Sequence, residues 1–532
     1  VSYYTKKNGE QSLSVIDPMN ALANFYVGSN RYSEAEKLFI KVLRIQLKFN
    51  DGKDSNASLS LRTNLANLHS AQGRYGLSEK EYIDILNHSK LIYGEENFNT
   101  IARMDDLAIF YRINDKLKES ETLYKTVLDL NQKFIEKNSF TSLNTLVNYG
   151  LLLQKQRKYS QAKNVFEQDA NARKNIFGIM SQEYLKSMIY LGNLYYEMGA
   201  LDAAESLSDK ILPLMQIFLN NALWGAGEST REAYTHGQKG GVDFYFTLFN
   251  SRSSVENARR ALSLSLNRKG LLLQISSQIK AVSRSRANPL LQDLAQSLKD
   301  NHQKLSEIIL GGKGNDTQIQ ILEDKINQQQ VLLGNKVQQL GRNSQAVSPE
   351  QLVTALDKDS VFIDFIVYKP YAWMEATKWK PEQLMAIVVS KQTPIQLVSL
   401  GETSIIEADI KKLLIMMQSE RSSYKKVAVT LYEKLWEPLE PYLKDIKQVY
   451  IAPDGMLNIL PFAVLKKTEK EPFLIEKYQI NMVSSGRDLV IPPMTVIKQT
   501  PPAIFAAPLY SPEQIASYKK HIVNEKSITV AK

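Results

Sequence analysis

The feature that most restricts the fold of this chain is an internal repeat in its first half. A tight three-residue turn motif recurs five times, and the last residues of successive motifs lie 43, 42, 42 and 42 positions apart. The five motifs are Asn30-Arg31-Tyr32, Gly73-Arg74-Tyr75, Asp115-Lys116-Leu117, Arg157-Lys158-Tyr159 and Gly199-Ala200-Leu201. So constant an interval indicates one structural unit used repeatedly.

Two columns of small residues keep the same register as the turns. One column lies three residues after each motif and the other nine residues before its last residue. The columns are Ala35, Ser78, Ser120, Ala162 and Ala204, and Ala23, Ala66, Ala108, Gly150 and Gly192. Because small side chains let neighbouring helices approach closely, each unit is predicted to be two antiparallel helices around a polar turn.

This pattern resembles the tetratricopeptide repeat, with an interval longer than the usual ~34 residues of that family. The longer interval is similar to that of repeats of the kinesin-light-chain kind. We therefore expect about five repeats in a domain over residues 1–220, stacked as an all-α superhelix.

The resemblance implies that the first helix of each pair lines a concave face where extended peptides bind. Asn24, Asn67 and Asn193 follow the small column by one residue, and Asn64 and Asn148 precede it by two. These positions are three apart and share a helix face. Since asparagine both donates and accepts hydrogen bonds, these five residues are candidates for gripping a peptide backbone. The alternative is that they are solvated or turn-capping residues.

Residues 221–345 keep the apolar periodicity of helices but lose the repeat columns. This pattern predicts a helical linker that either spaces the two domains or transmits a signal between them. The glycine-rich stretch 311–316 is interpreted as a turn between helices. It is not interpreted as a phosphate loop, because no strand precedes it and no GK[ST] follows.

The periodicity changes near residue 361. Short β-rich runs are predicted at 361–368, 384–390, 395–400 and 448–452, with helices at 405–417 and 427–443. Strands that alternate with helices indicate an α/β sheet domain.

The segment 449–465 carries Pro453-Asp454-Gly455 and Pro461-Phe462, and Ser485-Gly486-Arg487-Asp488 follows it. These motifs resemble the strand-and-turn signature of CHAT domains, a caspase-like group associated with tetratricopeptide repeats. Asp364-Phe365 and the stretch 506–510 fit the same family in order. The resemblance implies that residues 346–532 are the first part of such a domain.

The resemblance implies a bacterial-type cysteine endopeptidase that uses a histidine-cysteine dyad. The sequence contains no cysteine, and His521 lacks the following glycine that the family's histidine shows. We therefore assign no catalytic residue, and we expect a fragment that ends before the dyad and is inactive as given. Arg487 and Asp488 either position substrate or pair with one another, and the Asp454-Gly455 turn is interpreted as a fold determinant.

Composition narrows the partners. The net charge is +10, but lysines alternate with acids, so nucleic acid is not expected except indirectly through a ribonucleoprotein partner. The five histidines are scattered, so no metal or cofactor is predicted. No membrane span is expected, and the absence of a visible leader favours the cytoplasm.

These observations lead to one functional prediction and one alternative. The first is a repeat array that binds a protein or peptide and regulates a CHAT-family cysteine peptidase domain. The second is a non-catalytic interaction scaffold with a degenerate CHAT domain.

Overall fold

The structure is a computed structural model. It describes residues 11–134, 139–284, 289–311, 316–339, 346–371, 380–419 and 423–491 of the 532-residue chain. The predicted strand at 506–510, His521 and most of the glycine-rich turn at 311–316 lie outside the described residues.

The first half consists of five helix pairs, as the repeat predicts. The ten helices are α1 (Ile16–Gly28), α2 (Tyr32–Phe49), α3 (Asn56–Ala71), α4 (Tyr75–Tyr93), α5 (Phe98–Ile113), α6 (Leu117–Phe134), α7 (Phe140–Lys155), α8 (Tyr159–Phe177), α9 (Gln182–Glu197) and α10 (Leu201–Trp224). Every second helix begins at the last residue of a turn motif. The all-α repeat superhelix is therefore confirmed. Helix α10 continues past residue 220, so the predicted domain limit falls inside a helix.

The five turns share one backbone conformation. Their first residues all have φ between +58° and +77°. They are Asn30, Gly73, Asp115, Arg157 and Gly199. The amide of each following residue donates to the carbonyl five residues earlier, at 2.8 to 2.9 Å. This left-handed ending satisfies the last carbonyls of the first helix and turns the chain sharply into the second.

The small-residue columns lie at the contact between the two helices of each pair. Ser78 Oγ donates to the Ala66 carbonyl at 2.7 Å, and Ser120 Oγ donates to the Ala108 carbonyl at 2.8 Å. A Cβ added at Gly150 would lie 2.6 Å from the Phe166 ring. The small side chains thus let the helices pack closely, which is the role that the sequence predicts.

Six helices follow the repeats. They are α11 (Glu228–Gly237), α12 (Lys239–Ser251), α13 (Val255–Leu266), α14 (Leu271–Arg284), α15 (Pro289–Gly311) and α16 (Asp316–Gln339). A short helix, α17 (Pro349–Ala355), then leads into the sheet.

The sheet has five strands in the described part of the chain, in the order β3-β2-β1-β4-β5. The strands are β1 (Ser360–Tyr368), β2 (Gln383–Ser390), β3 (Gln396–Glu402), β4 (Gln448–Ala452) and β5 (Gln479–Met482). Strands β1, β2 and β3 pair antiparallel, and β4 runs parallel to both β1 and β5. Helices α18 (Thr403–Gln418), α19 (Tyr424–Leu435), α20 (Leu474–Lys477) and α21 (Arg487–Val490) complete the region.

The four strands predicted between residues 361 and 452 agree with the structure within two residues. The predicted helix at 427–443 does not continue to its end, because α19 stops at Leu435 and a 3-10 turn follows over Glu437–Tyr442. Pro438 and Pro441 lie in that turn. Proline has no amide hydrogen to donate, so it interrupts the helical bonding pattern.

Both faces of the sheet are covered. Phe362 and Ile366 pack in one hydrophobic core with residues of α12 and α13, including Phe244 and Leu262. On the other face, residues such as Phe365 pack with α18 and α19. Part of the helical segment at 221–345 is therefore a layer of the sheet domain as well as a connection. Its limits at 220 and 345 stay a prediction.

Candidate functional site

Two of the predicted groove asparagines join successive repeats. Asn64 Nδ2 donates to Asn20 Oδ1 at 2.9 Å, which links α3 to α1. Asn148 Nδ2 donates to Asp105 Oδ2 at 3.4 Å, which links α7 to α5. These first helices are thus bonded to each other along one face, and both asparagines are half-buried.

Two others lie at the surface. Asn24 and Asn67 are exposed, and Asn67 accepts a hydrogen bond from the Tyr82 hydroxyl. Both residues are therefore accessible to a ligand.

The fifth asparagine has a different environment. Asn193 on α9 is 1% exposed, and it lies beside the hydroxyl of Tyr371, just after β1. The Tyr371 ring packs edge-on against Phe244 of α12, with ring centroids 5.3 Å apart. Its backbone amide donates to Thr247 Oγ1 at 3.0 Å. The last predicted groove position is therefore covered by a residue that belongs to the sheet region.

A charged cluster lies between the second, third and fourth repeats. Arg103 Nη1 donates to Thr63 Oγ1 at 3.0 Å and pairs with Asp106 at 3.1 Å. Burial raises the pKa of Asp105 to about 6, the neighbouring Asp106 adds to the rise, and the hydrogen bond from Asn148 opposes it. This face is thus polar but only partly solvated.

The Pro453-Asp454-Gly455 turn follows β4 directly. Asp454 Oδ2 accepts from the Val367 amide at 2.9 Å, and its Oδ1 accepts from the Gly455 amide at 2.9 Å. Gly455 has a φ of +53°, which a residue without a side chain adopts at little cost. Pro453 is buried. The aspartate therefore ties the end of β4 to the end of β1.

Pro461 and Phe462 serve the core. Phe462 is 2% exposed and stacks on Phe365 of β1, with ring centroids 5.4 Å apart. Pro461 precedes the 3-10 turn that Phe462 begins.

The Ser485-Gly486-Arg487-Asp488 motif packs against the end of α13. A Cβ added at Gly486 would lie 2.7 Å from Leu266. Arg487 is 3% exposed, and its Nη1 donates to the Leu266 carbonyl at 3.3 Å and to Asn267 Oδ1 at 3.2 Å. Burial lowers the pKa of Arg487. The guanidinium thus holds the middle helices to the sheet region.

The other two members of this motif organise the turn itself. Asp488 Oδ2 accepts from the Ser484 amide at 2.8 Å and from the Ser485 amide at 3.2 Å. Ser485 Oγ accepts from the Arg487 amide at 3.1 Å.

A buried ion pair lies close by. Lys269 Nζ donates at 2.8 Å to each of three acceptors, which are Asp364 Oδ1 and the carbonyls of Phe365 and Ala452. Ser265 Oγ donates to Asp364 Oδ2 at 2.5 Å. Asp364 is 1% exposed, so one lysine from the helical segment neutralises a buried charge of β1 and also contacts β4.

Asn267 completes this contact region. It accepts from the Val347 amide at 3.0 Å, and its Nδ2 donates to the Val347 carbonyl at 3.0 Å. We call Ser265, Asn267, Lys269, Asp364 and Arg487 the junction.

The sequence analysis did not identify the three junction residues of the helical segment. The signal in the sequence was the polar run that follows the end of α13 at Leu266 and precedes Gly270, whose φ is +72°.

The described residues contain neither a metal-binding cluster nor a membrane-spanning helix. No group of three or more histidine, cysteine, aspartate or glutamate side chains could hold a metal ion there. No helix in that part of the chain is long and apolar enough to cross a membrane.

Comparison with protein families decides the assignment. The family model of the CHAT domain matches residues 425–525. Models of the tetratricopeptide repeat match residues 19–48, 54–133 and 100–175. The chain carries tetratricopeptide repeats and a C-terminal CHAT domain. The CHAT match contains the Asp454 turn and Arg487, so the junction joins the CHAT domain to the helical segment.

Several solved structures resemble the chain at low sequence identity. A Podosopora anserina protein described as a kinesin light chain with nearly identical TPR-like repeats is 19% identical, covers 38% of this chain and 96% of its own, and gives a TM-score of 0.32. BtubC from P. vanneervenii is 19% identical over 38% of this chain and 80% of its own, with a TM-score of 0.33. Aspartyl phosphate phosphatase F from Bacillus subtilis is 13% identical over 62% and 71%, with a TM-score of 0.32. Among curated proteins, no match is found.

Proposed function

We propose that the repeats bind a protein or peptide partner along the face of their first helices, and that the junction couples this binding to a conformational change in the CHAT domain. The observation that carries the proposal is one continuous hydrophobic core. It contains Leu185 and Met215 of the fifth repeat, Phe244 and Leu262 of the middle helices, and Phe362 of β1. Because cores are close-packed, a shift of the last repeat changes the packing against the sheet.

The binding half of the proposal rests on the repeat family and on the exposed asparagines. Tetratricopeptide repeats act in protein interaction, and Asn24 and Asn67 present side chains to solvent on the predicted face. Because an asparagine side chain can both donate and accept hydrogen bonds, it suits an extended peptide backbone.

The output half concerns the CHAT domain. Since the chain contains no cysteine, it does not itself supply a thiol nucleophile. The proposed role of this chain is to recognise the partner and to couple that binding to the CHAT domain. The activity regulated in this way would be CHAT-type peptide hydrolysis. The absent cysteine also favours a second candidate, a non-catalytic scaffold in which the CHAT domain holds a partner. The cytoplasmic location and the indirect link to a ribonucleoprotein stay predictions.

The binding claim is tested with a library of synthetic extended peptides screened against the full chain. We expect Asn24→Ala and Asn67→Ala each to weaken the best binder by about two- to tenfold, as the loss of one hydrogen bond requires. Asn164→Ala is the control, because Asn164 is exposed on α8, a second helix. Unchanged binding in both groove variants would refute the proposed groove.

The coupling claim has a separate measurement, which is hydrogen exchange with and without the bound peptide. Slower or faster exchange in β1 and β4 supports regulation of the CHAT domain. A peptide that changes exchange only within the repeats supports the scaffold instead.

A further inference from the structure

We infer that the groove ends in a tyrosine-recognition pocket around Asn193, that the chain's own Tyr371 fills it, and that a partner peptide bearing a tyrosine competes for the same pocket. The inference rests on the proposed function, because it names the chemistry that the last repeat selects.

One wall of the pocket comes from α9. Tyr190, Asn193 and Glu197 follow one another at spacings of three and four residues, which places them on one helix face. Asn193 occupies the same repeat position as Asn24 and Asn67, the exposed groove asparagines. The pocket is therefore the continuation of the groove into the fifth repeat.

The other walls make this position more enclosed than the earlier ones. Gln154 of α7, in the preceding repeat, is 0% exposed and lies beside Glu197. Phe244, also 0% exposed, and Thr247 close the side towards α12. An aromatic surface next to amide and carboxyl groups suits a tyrosine, which has an apolar ring and a polar tip.

Tyr371 lies against both walls. Its ring lies against Phe244, its backbone amide is bonded to Thr247, and its hydroxyl is buried among Tyr190, Asn193 and Glu197. The chain is also held three residues earlier, where Asn250 Nδ2 donates to the Tyr368 hydroxyl at 2.9 Å. The residue thus behaves as a bound ligand that is covalently attached to β1.

Attachment sets the requirement for a competitor. A tethered group acts at an effective concentration of roughly millimolar, so a free tyrosine does not displace it. A partner must add contacts elsewhere in the groove. An extended peptide that also meets Asn24 and Asn67 and ends with a tyrosine at the fifth repeat satisfies this condition.

Displacement of Tyr371 would affect the CHAT domain through only a few residues of β1. Tyr371 lies four residues after Val367, whose amide donates to Asp454 of the signature turn. Release of Tyr371 therefore frees the end of β1 next to the bond that ties β1 to β4.

The test uses the tripeptide Lys-Pro-Tyr, which copies residues 369–371, and the same peptide ending in alanine. Binding to the full chain is followed by saturation-transfer NMR at concentrations into the millimolar range. We expect the tyrosine probe to bind the Tyr371→Ala chain at least about tenfold more tightly than the wild-type chain, because the tethered competitor is gone. The alanine probe should bind neither.

Two further variants keep the result interpretable. Tyr371→Phe retains the ring in the pocket and should exclude the probe as the wild type does. Asn193→Leu in the Tyr371→Ala background should lose the probe while its circular dichroism stays helical. Equal probe binding by wild type and Tyr371→Ala, no binding by Tyr371→Ala, or equal binding of the alanine probe would each overturn the inference. None of these results depends on Asn24 or Asn67, so the groove itself can fail or hold independently.

Discussion

At the scale of single residues, the repeat turns show how one backbone conformation selects its sequence. Asn30, Gly73, Asp115 and Gly199 are residue types that tolerate positive φ, and Arg157 is the exception at +59°. The sequence motif was found by spacing alone, and the left-handed conformation explains why glycine, asparagine and aspartate recur there. Nothing in the motif itself distinguishes Arg157 as strained.

Replacing Arg157 with glycine should stabilise the protein. The left-handed conformation costs a residue with a Cβ about 1 kcal/mol, which glycine avoids. Arg157 is exposed, so the change removes little packing. We expect the free energy of unfolding, measured by urea denaturation, to rise by about 0.5 to 1 kcal/mol. Arg157→Ala retains the Cβ and is the control. An equal gain in both variants would exclude backbone strain as the cause.

Asp105 should make stability depend on pH. Its pKa is raised to about 6 in the folded protein, mainly by burial, whereas the unfolded value is near ~3.9. The folded state therefore binds the proton more tightly, and stability falls as the pH rises from about 4 to 6. Asp105→Asn should remove this fall and raise stability at pH 7 by about 1 to 2 kcal/mol.

The measurement is a series of urea titrations between pH 4 and pH 7. Exposed Asp17 provides the control, because Asp17→Asn changes the same charge without removing a buried carboxyl. A pH dependence that persists unchanged in Asp105→Asn would assign it to other groups, of which Asp106 lies nearest.

At the scale of secondary-structure elements, local patterns predicted most of the fold. The turn spacing located all ten repeat helices, and alternating β-branched residues located four strands, because each pattern is set by contacts within or next to the element. Strand β5 was not predicted, since its four residues, Gln479–Met482, carry no clear alternation. The 3-10 turn after α19 shows that prolines limit a helix that apolar period alone would extend.

Close helix packing in the fourth repeat gives a test at this scale. Gly150→Ala places a Cβ 2.6 Å from the ring of Phe166, which is fully buried. We expect a loss of about 1 to 3 kcal/mol from overpacking, measured by urea denaturation. The matched control is Gly76→Ala in α4, where a Cβ would meet nothing within 4 Å. That variant should gain up to about 1 kcal/mol from helix propensity. Similar effects at both sites would contradict the packing role.

At the scale of the whole molecule, the contacts that matter most were not visible in the sequence. Lys269 bonds to Asp364 and Ala452, which lie 95 and 183 residues further along the chain. Tyr371 likewise reaches Asn193 only through tertiary structure. The motifs identified the CHAT region, but a single sequence contains no local signal for which distant helix covers its sheet. The helix pairs of the repeats were therefore predictable in outline, whereas the junction and the filled pocket were not.

The junction predicts a large difference between two lysines. Lys269→Met leaves Asp364 buried without its cation and should cost about 3 to 5 kcal/mol. Lys239→Met removes a lysine from an exposed pair with Glu382, at 3.2 Å, and should cost at most about 1 kcal/mol. Urea unfolding followed by tryptophan fluorescence measures both. A small loss for Lys269→Met would mean that water or another cation compensates Asp364.

The shared core also decides where the polypeptide tolerates being cut. A recombinant CHAT region that starts after the middle helices would leave Phe362, Ile366 and Met385 without the side chains of α12 and α13 that cover them. An exposed apolar sheet face of that kind promotes aggregation in water. The CHAT region should thus be produced together with the helices that precede it, and limited proteolysis should release the early repeats before it separates those two layers.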